Sequence, residues 1–198
     1  ASNYWHSAFD DHQAADQREE DGCSLCFDSA PLAQPLAILG APVVTLQLSA
    51  DRRIAMAAVR LTDVSPDGAS LFVSFGILNL SRRDSHERPE FLEPGRRYRV
   101  SVQLEEISHR FAAGHRIRVA VSTSYWHRAW PMPERATLEV VTGASFLDLP
   151  VRRARPEDEN VRSLGPPEQA RSLARTILRP AIKRSSVERD LSSREVRV

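Results

Sequence analysis

The stretch YRVSVQLEEISHRFAAGHRIRVAVST, residues 98 to 123, decides the fold. In its first and last eight residues, apolar side chains stand at every second position, and all the positions between them except Ala120 are polar or charged. A period of two places alternate side chains on opposite faces of an extended chain. The stretch therefore predicts two half-buried β-strands, the second of which follows a turn at Gly114. The side chains predicted to face inward are Tyr98, Val100, Val102, Leu104, Ile117, Val119 and Val121.

The same alternation recurs earlier in the chain. The run VTLQLS, residues 44–49, puts Val44, Leu46 and Leu48 on one face. Other runs alternate less cleanly but are rich in β-branched and aromatic residues, which indicates strands covered on both faces. These runs, with two shorter ones, are residues 24–27, 36–39, 54–64, 70–78, 136–142 and 145–151. The total of eight or nine strands predicts an all-β fold, a jelly-roll β-sandwich.

Turn signals separate these strands. The sequence SPDG, residues 65–68, has Pro and Asp in central turn positions and Gly where a positive φ is needed, so it predicts a tight link between two strands. Residues 79–94 are polar and long for a connection, and we expect them to cross one end of the sandwich.

Changes of composition predict three regions. Residues 1–22 are aromatic and then strongly charged, which is typical of a linker from an upstream domain that is missing here, lying over a surface. Residues 23–153 form the sandwich, and residues 154–198 form a mixed C-terminal arm or the start of a truncated further β element. Within the arm, residues 166–178 have helical spacing. Residues 185–198 alternate like a hairpin that has no strand left to pair with.

Composition excludes several classes of function. The 198 residues carry a formal net charge of +1, with basic and acidic residues interspersed, so nucleic-acid binding is not expected. No window is apolar enough for a membrane helix. The only two cysteines, Cys23 and Cys26, are too few for a structural zinc site, and we interpret them as thiols in a reducing cytoplasm rather than a redox pair. We expect no cofactor and no bound metal.

Candidate catalytic residues are few. The sequence lacks the G-x-S-x-G motif of α/β-hydrolases. His109 and His115 flank a predicted hairpin turn and could meet each other and Asp63 there. We favour hydrogen bonding at a hairpin corner over a catalytic or metal role for them. Asp63 and Asp67 flank the SPDG turn, where a calcium site is the alternative to a simple turn. We favour the turn.

The sharpest surface signal is the group of three aromatic residues Tyr125, Trp126 and Trp130. Three large rings within six residues cannot all lie on one face of a strand. Two hypotheses remain for them. They form an exposed platform that stacks on a sugar or packs against another protein, or they form a plug that seals the sandwich or contacts a domain of the same chain.

Three longer segments of the sequence resemble a known family. They are DGCSLCFDSAPLAQPLAILGAPVVTLQLSAD, RLTDVSPDGASLFVSFGIL and FLEPGRRYRVSVQLEEISHRFAAGHRIRVAVSTS. In order and spacing they are similar to the C-terminal jelly-roll domain, of the galactose-binding-like type, of Xaa-Pro dipeptidyl-peptidases and cocaine-esterase-like hydrolases (the CocE/NonD family). The resemblance covers residues 22 to about 152. After residue 124 the sequence YWHRAWPMPERATLEVV replaces the stretches usual in the family, as in a subgroup with a Tyr-Trp and Trp-Pro corner.

This resemblance implies a function. In the family, the catalytic Ser, Asp and His belong to a preceding α/β-hydrolase domain, and none of them has a counterpart in this chain. The jelly roll packs on that domain, helps to shape its substrate cleft and takes part in oligomer contacts. We therefore expect a non-catalytic accessory domain whose partner is the α/β-hydrolase catalytic domain of the same polypeptide, with a homo-oligomer as a further expectation.

Two other functions remain as alternatives. The first is a free-standing carbohydrate-binding jelly roll that uses Tyr125, Trp126 and Trp130 as a stacking surface. The second is an independent hydrolase built from these residues alone, in which His115 would be required for activity. Fold by itself does not choose among the three.

Overall fold

The computed structural model describes residues 16–126, 128–159, 165–166, 188–189 and 196–197. The chain divides into two compact units, Ala1–Arg155 and Pro156–Val198. Across the part that is described, no helix combines the length and the apolar character that crossing a membrane would require.

The described part of the first unit contains a one-turn helix and ten strands. In chain order they are α1 (Arg18–Asp21), β1 (Leu25–Asp28), β2 (Leu36–Gly40), β3 (Val43–Ala50), β4 (Met56–Val64), β5 (Ser70–Asn79), β6 (Tyr98–Gln103), β7 (Ile107–Phe111), β8 (Arg116–Ser122), β9 (Leu138–Val140) and β10 (Phe146–Asp148). Short 3₁₀ helices occupy Leu80–Arg82 and Thr142–Ala144.

The strands form antiparallel sheets. Sheet A has the order β1-β8-β4-β5. In sheet B, β3 pairs with β6 along one edge, and along the other it pairs with β10 near its start and with β9 near its end. Strands β2 and β7 form a separate pair. The prediction of an all-β antiparallel sandwich is confirmed, and the three strands predicted from alternation alone are β3, β6 and β8.

The core lies where the predicted alternation put it. Val44, Leu46 and Leu48 are at most 3% exposed, and Val100 and Val102 are buried with them. The outward residues Thr45 and Ser49 of β3 are buried too. On β8, Ile117 and Val121 join this core and Val119 packs against it half-buried.

Strand β5 crosses β6 closely at one glycine. A Cβ atom added to Gly76 would overlap the backbone oxygen of Gln103 and would lie 2.9 Å from Cδ2 of Leu104. Backbone atoms cannot move aside as a flexible side chain can. Only glycine therefore allows sheet A to approach sheet B this closely.

The prediction of a hairpin around residues 109–115 is wrong. Residues Ile107–Phe111 form β7, a strand that the sequence did not predict because Ser108, His109 and Arg110 interrupt its apolar residues. Strand β7 pairs with β2, whereas β8 pairs with β1 and β4. The turn at Gly114, with φ +82°, therefore connects two different sheets.

Residues 16–22 pack on the outer face of sheet A. The backbone N–H of Gln17 donates to the oxygen of Ser70 at 2.7 Å, and Asp16 forms an isolated bridge with Leu71. Gln17, Glu20 and Asp21 are buried there. All nine residues of β4 are buried in consequence, which confirms the prediction that this strand is covered on both faces.

The second unit contains, among its described residues, a 3₁₀ helix at Pro156–Glu159 and two short strands, β11 (Glu188–Arg189) and β12 (Val196–Arg197). These strands pair with each other in antiparallel fashion. This pairing agrees with the hairpin-like alternation predicted for residues 185–198. The helix predicted for residues 166–178 lies outside the described residues.

Candidate functional site

The three predicted aromatic residues divide into one buried ring and two exposed ones. Tyr125 is 3% exposed and lies on the outer face of sheet A with Ala58 and Phe75. Its ring centroid is 5.1 Å from that of Phe75, with the two planes tilted by 49°. The guanidinium of Arg128 lies 4.8 Å from the centroid of the same Phe75 ring. Tyr125 therefore covers the sheet, as in the plug hypothesis.

Trp126 and Trp130 instead face solvent. They are 40% and 80% exposed, and their rings meet edge to face with centroids 5.4 Å apart. The N–H of Ala129 donates to the oxygen of Tyr125 at 2.8 Å, which turns the chain and brings the two rings together. We call these two residues the tryptophan pair. Adjacent exposed aromatic rings are more typical of contact surfaces than single exposed apolar residues are.

His109, His115 and Asp63 do meet. The Nε2 atom of His109 lies 2.9 Å from Oδ2 of Asp63, and Nδ1 of His115 lies 2.7 Å from Oδ1. The Asp63 side chain is 6% exposed, while those of His109 and His115 are 19% and 26% exposed. The His109 ring also packs edge-on against Phe111, with centroids 4.6 Å apart.

This cluster joins separate parts of the sandwich. Asp63 is the next-to-last residue of β4, His109 belongs to β7, and His115 precedes β8. One carboxylate thus holds a strand of each of two sheets and the turn between them. Within the described residues, no group of three or more His, Cys, Asp or Glu side chains is arranged to hold a metal ion. The hydrogen-bonding role that we favoured for the histidines accounts for the geometry, although the corner is not a hairpin.

The SPDG turn uses Asp67 for itself. Oδ1 of Asp67 accepts hydrogen bonds from the Ser65 hydroxyl and from the N–H of Ala69, the latter at 3.1 Å. The bond from Ser65 is the main reason why the pKa of Asp67 is lowered. Gly68 has φ +88°, as the turn requires. Asp67 closes the turn while Asp63 binds the histidines, and this division argues against the calcium alternative.

Cys23 and Cys26 are not joined in a disulfide. The thiol of Cys26 donates to the backbone oxygen of Asp21, with S and O 3.4 Å apart. Partial burial, and then the nearby charge of Asp21, raise the pKa of the Cys26 thiol. A raised pKa lowers the fraction of reactive thiolate, which argues against a redox role.

Sequence reasoning missed a buried ionic network under α1. Arg60, in the middle of β4, is 2% exposed. Its NH1 donates to Oε1 of Gln17 at 2.8 Å, and its NH2 donates to the Ser24 hydroxyl at 3.2 Å and lies 2.9 Å from Oδ1 of Asp21. Arg118 donates to the other oxygen of Asp21 at 3.0 Å. The one available signal was an arginine inside the otherwise apolar run of residues 54–61.

Arg118 extends this network to the sheet edge. Its guanidinium donates to both oxygens of Asp28, at 2.6 and 2.7 Å. These bonds are the main cause of a raised pKa for Arg118 and of a lowered pKa for Asp28. We call Gln17, Asp21, Asp28, Arg60 and Arg118 the ionic network. Its geometry fixes residues 16–24 to sheet A and ties the edge strand β1 to β8.

Fold and surface together define a class of protein, an antiparallel β-sandwich module with two adjacent exposed tryptophans. Comparison with known proteins then gives the family. The model of the X-Pro dipeptidyl-peptidase C-terminal non-catalytic domain matches residues 1–173, and the chain belongs to that family. The resemblance found in the sequence is thereby confirmed, and the non-catalytic character agrees with the lack of a G-x-S-x-G motif.

Individual relatives are hydrolases. Cocaine esterase of Rhodococcus sp. (strain MB1 Bresler) is 31% identical over 116 residues, which are 58% of this chain and 20% of that enzyme. The solved structure of an α-amino acid ester hydrolase matches with 31% identity and a TM-score of 0.62, covering 69% of this chain and 27% of that one.

A third relative supports the fold. The structure of an aminopeptidase from the marine sediment archaeon Thaumarchaeota archaeon matches with a TM-score of 0.67 at 23% identity, covering 73% of this chain and 30% of that one. The chain thus spans only 20% to 30% of the length of these three relatives.

Proposed function

We propose that this chain is the accessory domain of an α/β-hydrolase-type serine hydrolase, an Xaa-Pro dipeptidyl-peptidase or an acyl esterase, and that it packs on a catalytic domain of the same polypeptide and helps to shape its substrate cleft. Membership of a family of non-catalytic C-terminal domains supports this proposal. The names of the relatives, an esterase and an ester hydrolase, support the reaction class.

The observation that carries the proposal is the exposure of the tryptophan pair. Burying apolar surface stabilises an association by roughly 25 cal/mol per Å², and aromatic side chains dominate the energy of many interfaces. Contacts between domains of one chain bury roughly 600–1,500 Å². Two adjacent tryptophans at 40% and 80% exposure are suited to be the anchor of such a contact.

The coding sequence upstream of Ala1 gives the first test. We expect a long open reading frame that carries G-x-S-x-G at a predicted strand-to-helix turn. The separately produced catalytic domain should then bind this chain in a titration followed by calorimetry. An open frame without that motif, or no association at high micromolar concentration, would contradict the proposal.

Two alanine variants locate the contact. Trp126→Ala and Trp130→Ala should each weaken association with the catalytic domain by roughly tenfold or more, as expected of an interface hot spot. Phe91→Ala is the matched control, because Phe91 is 56% exposed and lies outside the 125–130 segment. Equal loss of binding in all three variants would mean that the tryptophan pair is not the anchor.

The glycan-binding alternative uses the same rings and predicts a different outcome. The interplanar angle of 65° sets the two rings edge to face, so they do not form one flat platform. Trp130, at 80% exposure, could still stack on a sugar alone. Binding on a glycan array that is lost in Trp130→Ala, with no affinity for the catalytic domain, would favour this alternative.

We also infer a cytoplasmic protein, because two surface cysteines without a disulfide are typical of reducing compartments. A homo-oligomer, the further expectation from the sequence, would have to bury a surface of this chain. Light scattering of wild type and Trp130→Ala tests whether that surface includes the tryptophan pair. A larger mass for wild type than for the variant would support it.

A further inference from the structure

A cleft of about 300 Å³ opens between the two sheets at the margin where β1 and β10 lie. Phe27, Ile117 and Val119 of sheet A form one wall. The other wall includes Leu46 and Val140 of sheet B. Sandwich sheets normally lie about 10 Å apart with interdigitated side chains, so this margin is one place where the two inner faces do not fill the space between them.

The depth of the cleft reaches the core. Val44 and Leu46 line it although they are only 2% and 3% exposed. Phe146 stands at the mouth at 46% exposure, with the guanidinium of Arg99 5.5 Å from its ring centroid. A molecule in this cleft would therefore contact core side chains without any strand having to separate.

Polar side chains on the β1 side of the rim already have partners. Both carboxylate oxygens of Asp28 accept hydrogen bonds from Arg118. The hydroxyl of Ser29 donates to the oxygen of Ala30 at 2.7 Å and accepts from the N–H of Ile117 at 3.0 Å. The Asp28 carboxylate and the Ser29 hydroxyl are therefore already engaged in hydrogen bonds within the protein.

On the sheet B side of the rim, the Ser145 hydroxyl is also engaged in hydrogen bonds within the protein. The hydroxyl of Ser145 donates to the oxygen of Val141 at 2.8 Å and accepts from the N–H of Gln47 at 3.0 Å. A ligand with a charge would lose its hydration at such a rim and gain little in exchange. Arg99 stacks on Phe146 but does not line the cleft, so the lining itself favours an uncharged ligand.

We propose that this cleft binds a small, uncharged, apolar molecule, either a single aromatic ring or a short acyl chain. The volume supports the size, because an apolar protein cavity of about 150 Å³ suffices for benzene, and ligand sites begin near 300 Å³. This site is separate from the tryptophan pair and goes beyond the proposed accessory role, so either can fail without the other.

Toluene and benzoate provide a matched pair of probes, since both have one ring and only benzoate carries a charge. Binding is measured on the full 198-residue chain by ¹H–¹³C methyl spectra, in which Val44, Leu46, Ile117 and Val119 report on the cleft. We expect toluene to shift these methyl signals to saturation. Benzoate should bind with an affinity lower by a factor of roughly ten or more. Equal affinity for both probes, or no shift with toluene, would overturn the proposal.

Filling the cleft provides the second arm. Val140→Phe adds a ring from sheet B and Val119→Phe adds one from sheet A, while Val151→Phe makes the same change at an exposed position outside the lining. The first two variants should lose toluene binding and the third should keep it, with the dispersed methyl spectrum of each variant showing that it is folded. If Val140→Phe and Val119→Phe both bind toluene as tightly as wild type does, the assignment of the binding site to this cleft is wrong.

The catalytic domain of the proposed function is the competing occupant. Titration of that domain into the chain, followed through the same methyl signals, distinguishes a domain contact at the cleft from binding of a small molecule. Shifts of the cleft methyls by the domain together with no effect of toluene would assign the cleft to a domain contact and overturn the small-molecule proposal. Toluene binding that persists in the complex would support it.

Discussion

The ionic network and the tryptophan pair each place residues where their chemistry does not favour them. Arg60 carries a charge at 2% exposure, and Trp130 holds a large apolar ring at 80% exposure. Arg60 has partners within the chain that account for its burial: Gln17, Ser24 and Asp21. Folding of this chain gives no equivalent reason for the exposure of Trp130. The burial of Arg60 is thus explained by the fold, whereas the exposure of Trp130 is not, and that exposure is the observation behind the proposed domain contact.

Breaking the network should have the largest effect. Arg60→Ala leaves the Asp21 carboxylate buried without its main counter-charge. Removal of one partner from a buried ion pair costs about 3–5 kcal/mol. We expect a loss of that size in the free energy of unfolding measured by urea denaturation. Arg52→Ala should change it by less than about 0.5 kcal/mol, because that arginine pairs at the surface.

A double variant separates charge from packing at the same place. Arg60→Met with Asp21→Leu removes both charges and keeps apolar volume, and such replacements are often neutral or stabilising. It should therefore recover most of the stability that Arg60→Ala loses. If the double variant is as unstable as the single one, the network acts through its specific hydrogen bonds and not through charge pairing.

Tyr125→Ala should have the next largest effect. Removing a buried aromatic side chain costs about 3–5 kcal/mol, and Tyr125 covers Phe75 and Ala58. We expect the lower part of that range, since the ring lies in a small cluster on the outer face and not in the main core. Thermal unfolding checks this. A loss below about 1 kcal/mol would show that the ring is not a structural plug.

The division between Tyr125 and its neighbours also shows what the sequence could predict. Alternation fixed the inward faces of β3, β6 and β8, because a period of two follows from strand geometry alone. The aromatic segment has no such period. Which ring is buried depends on the turn closed by Ala129 and Tyr125 and on the presence of Phe75, which lies fifty positions earlier in the chain.

The same limit applies to the polar clusters. Arg60 is visible as a charge in the apolar run of residues 54–61, but its burial depends on Asp21 and Gln17, which reach it only after residues 16–22 pack on sheet A. The sequence left a meeting of His109, His115 and Asp63 open, and the structure brings them together, whereas the missed strand β7 made the predicted hairpin wrong. Contacts between elements distant in sequence carry no local pattern.

Acid should weaken the outer part of the network. The pKa of Asp28 is lowered in the folded chain, first because Arg118 donates hydrogen bonds to it. Its contribution to stability is then fully present above the unfolded value near 3.8 and is lost as the pH falls through the lower folded value. We expect Asp28→Asn to cost about 1 kcal/mol near neutral pH and progressively less below pH 3.8. Urea midpoints across this pH range check the prediction, and a constant difference would contradict it.

Trp130→Ala should have the smallest effect on the free energy of unfolding. The side chain is 80% exposed, so folding removes little of its surface from water and truncation should change stability by no more than about 0.5 kcal/mol. Trp126→Ala should cost somewhat more, because that ring is 40% exposed and has more surface buried in the fold. Urea denaturation of both variants beside Tyr125→Ala places the three rings on one scale. A loss for Trp130→Ala as large as that for Tyr125→Ala would mean that the exposed ring serves the fold after all, and the contrast with Arg60 would then disappear.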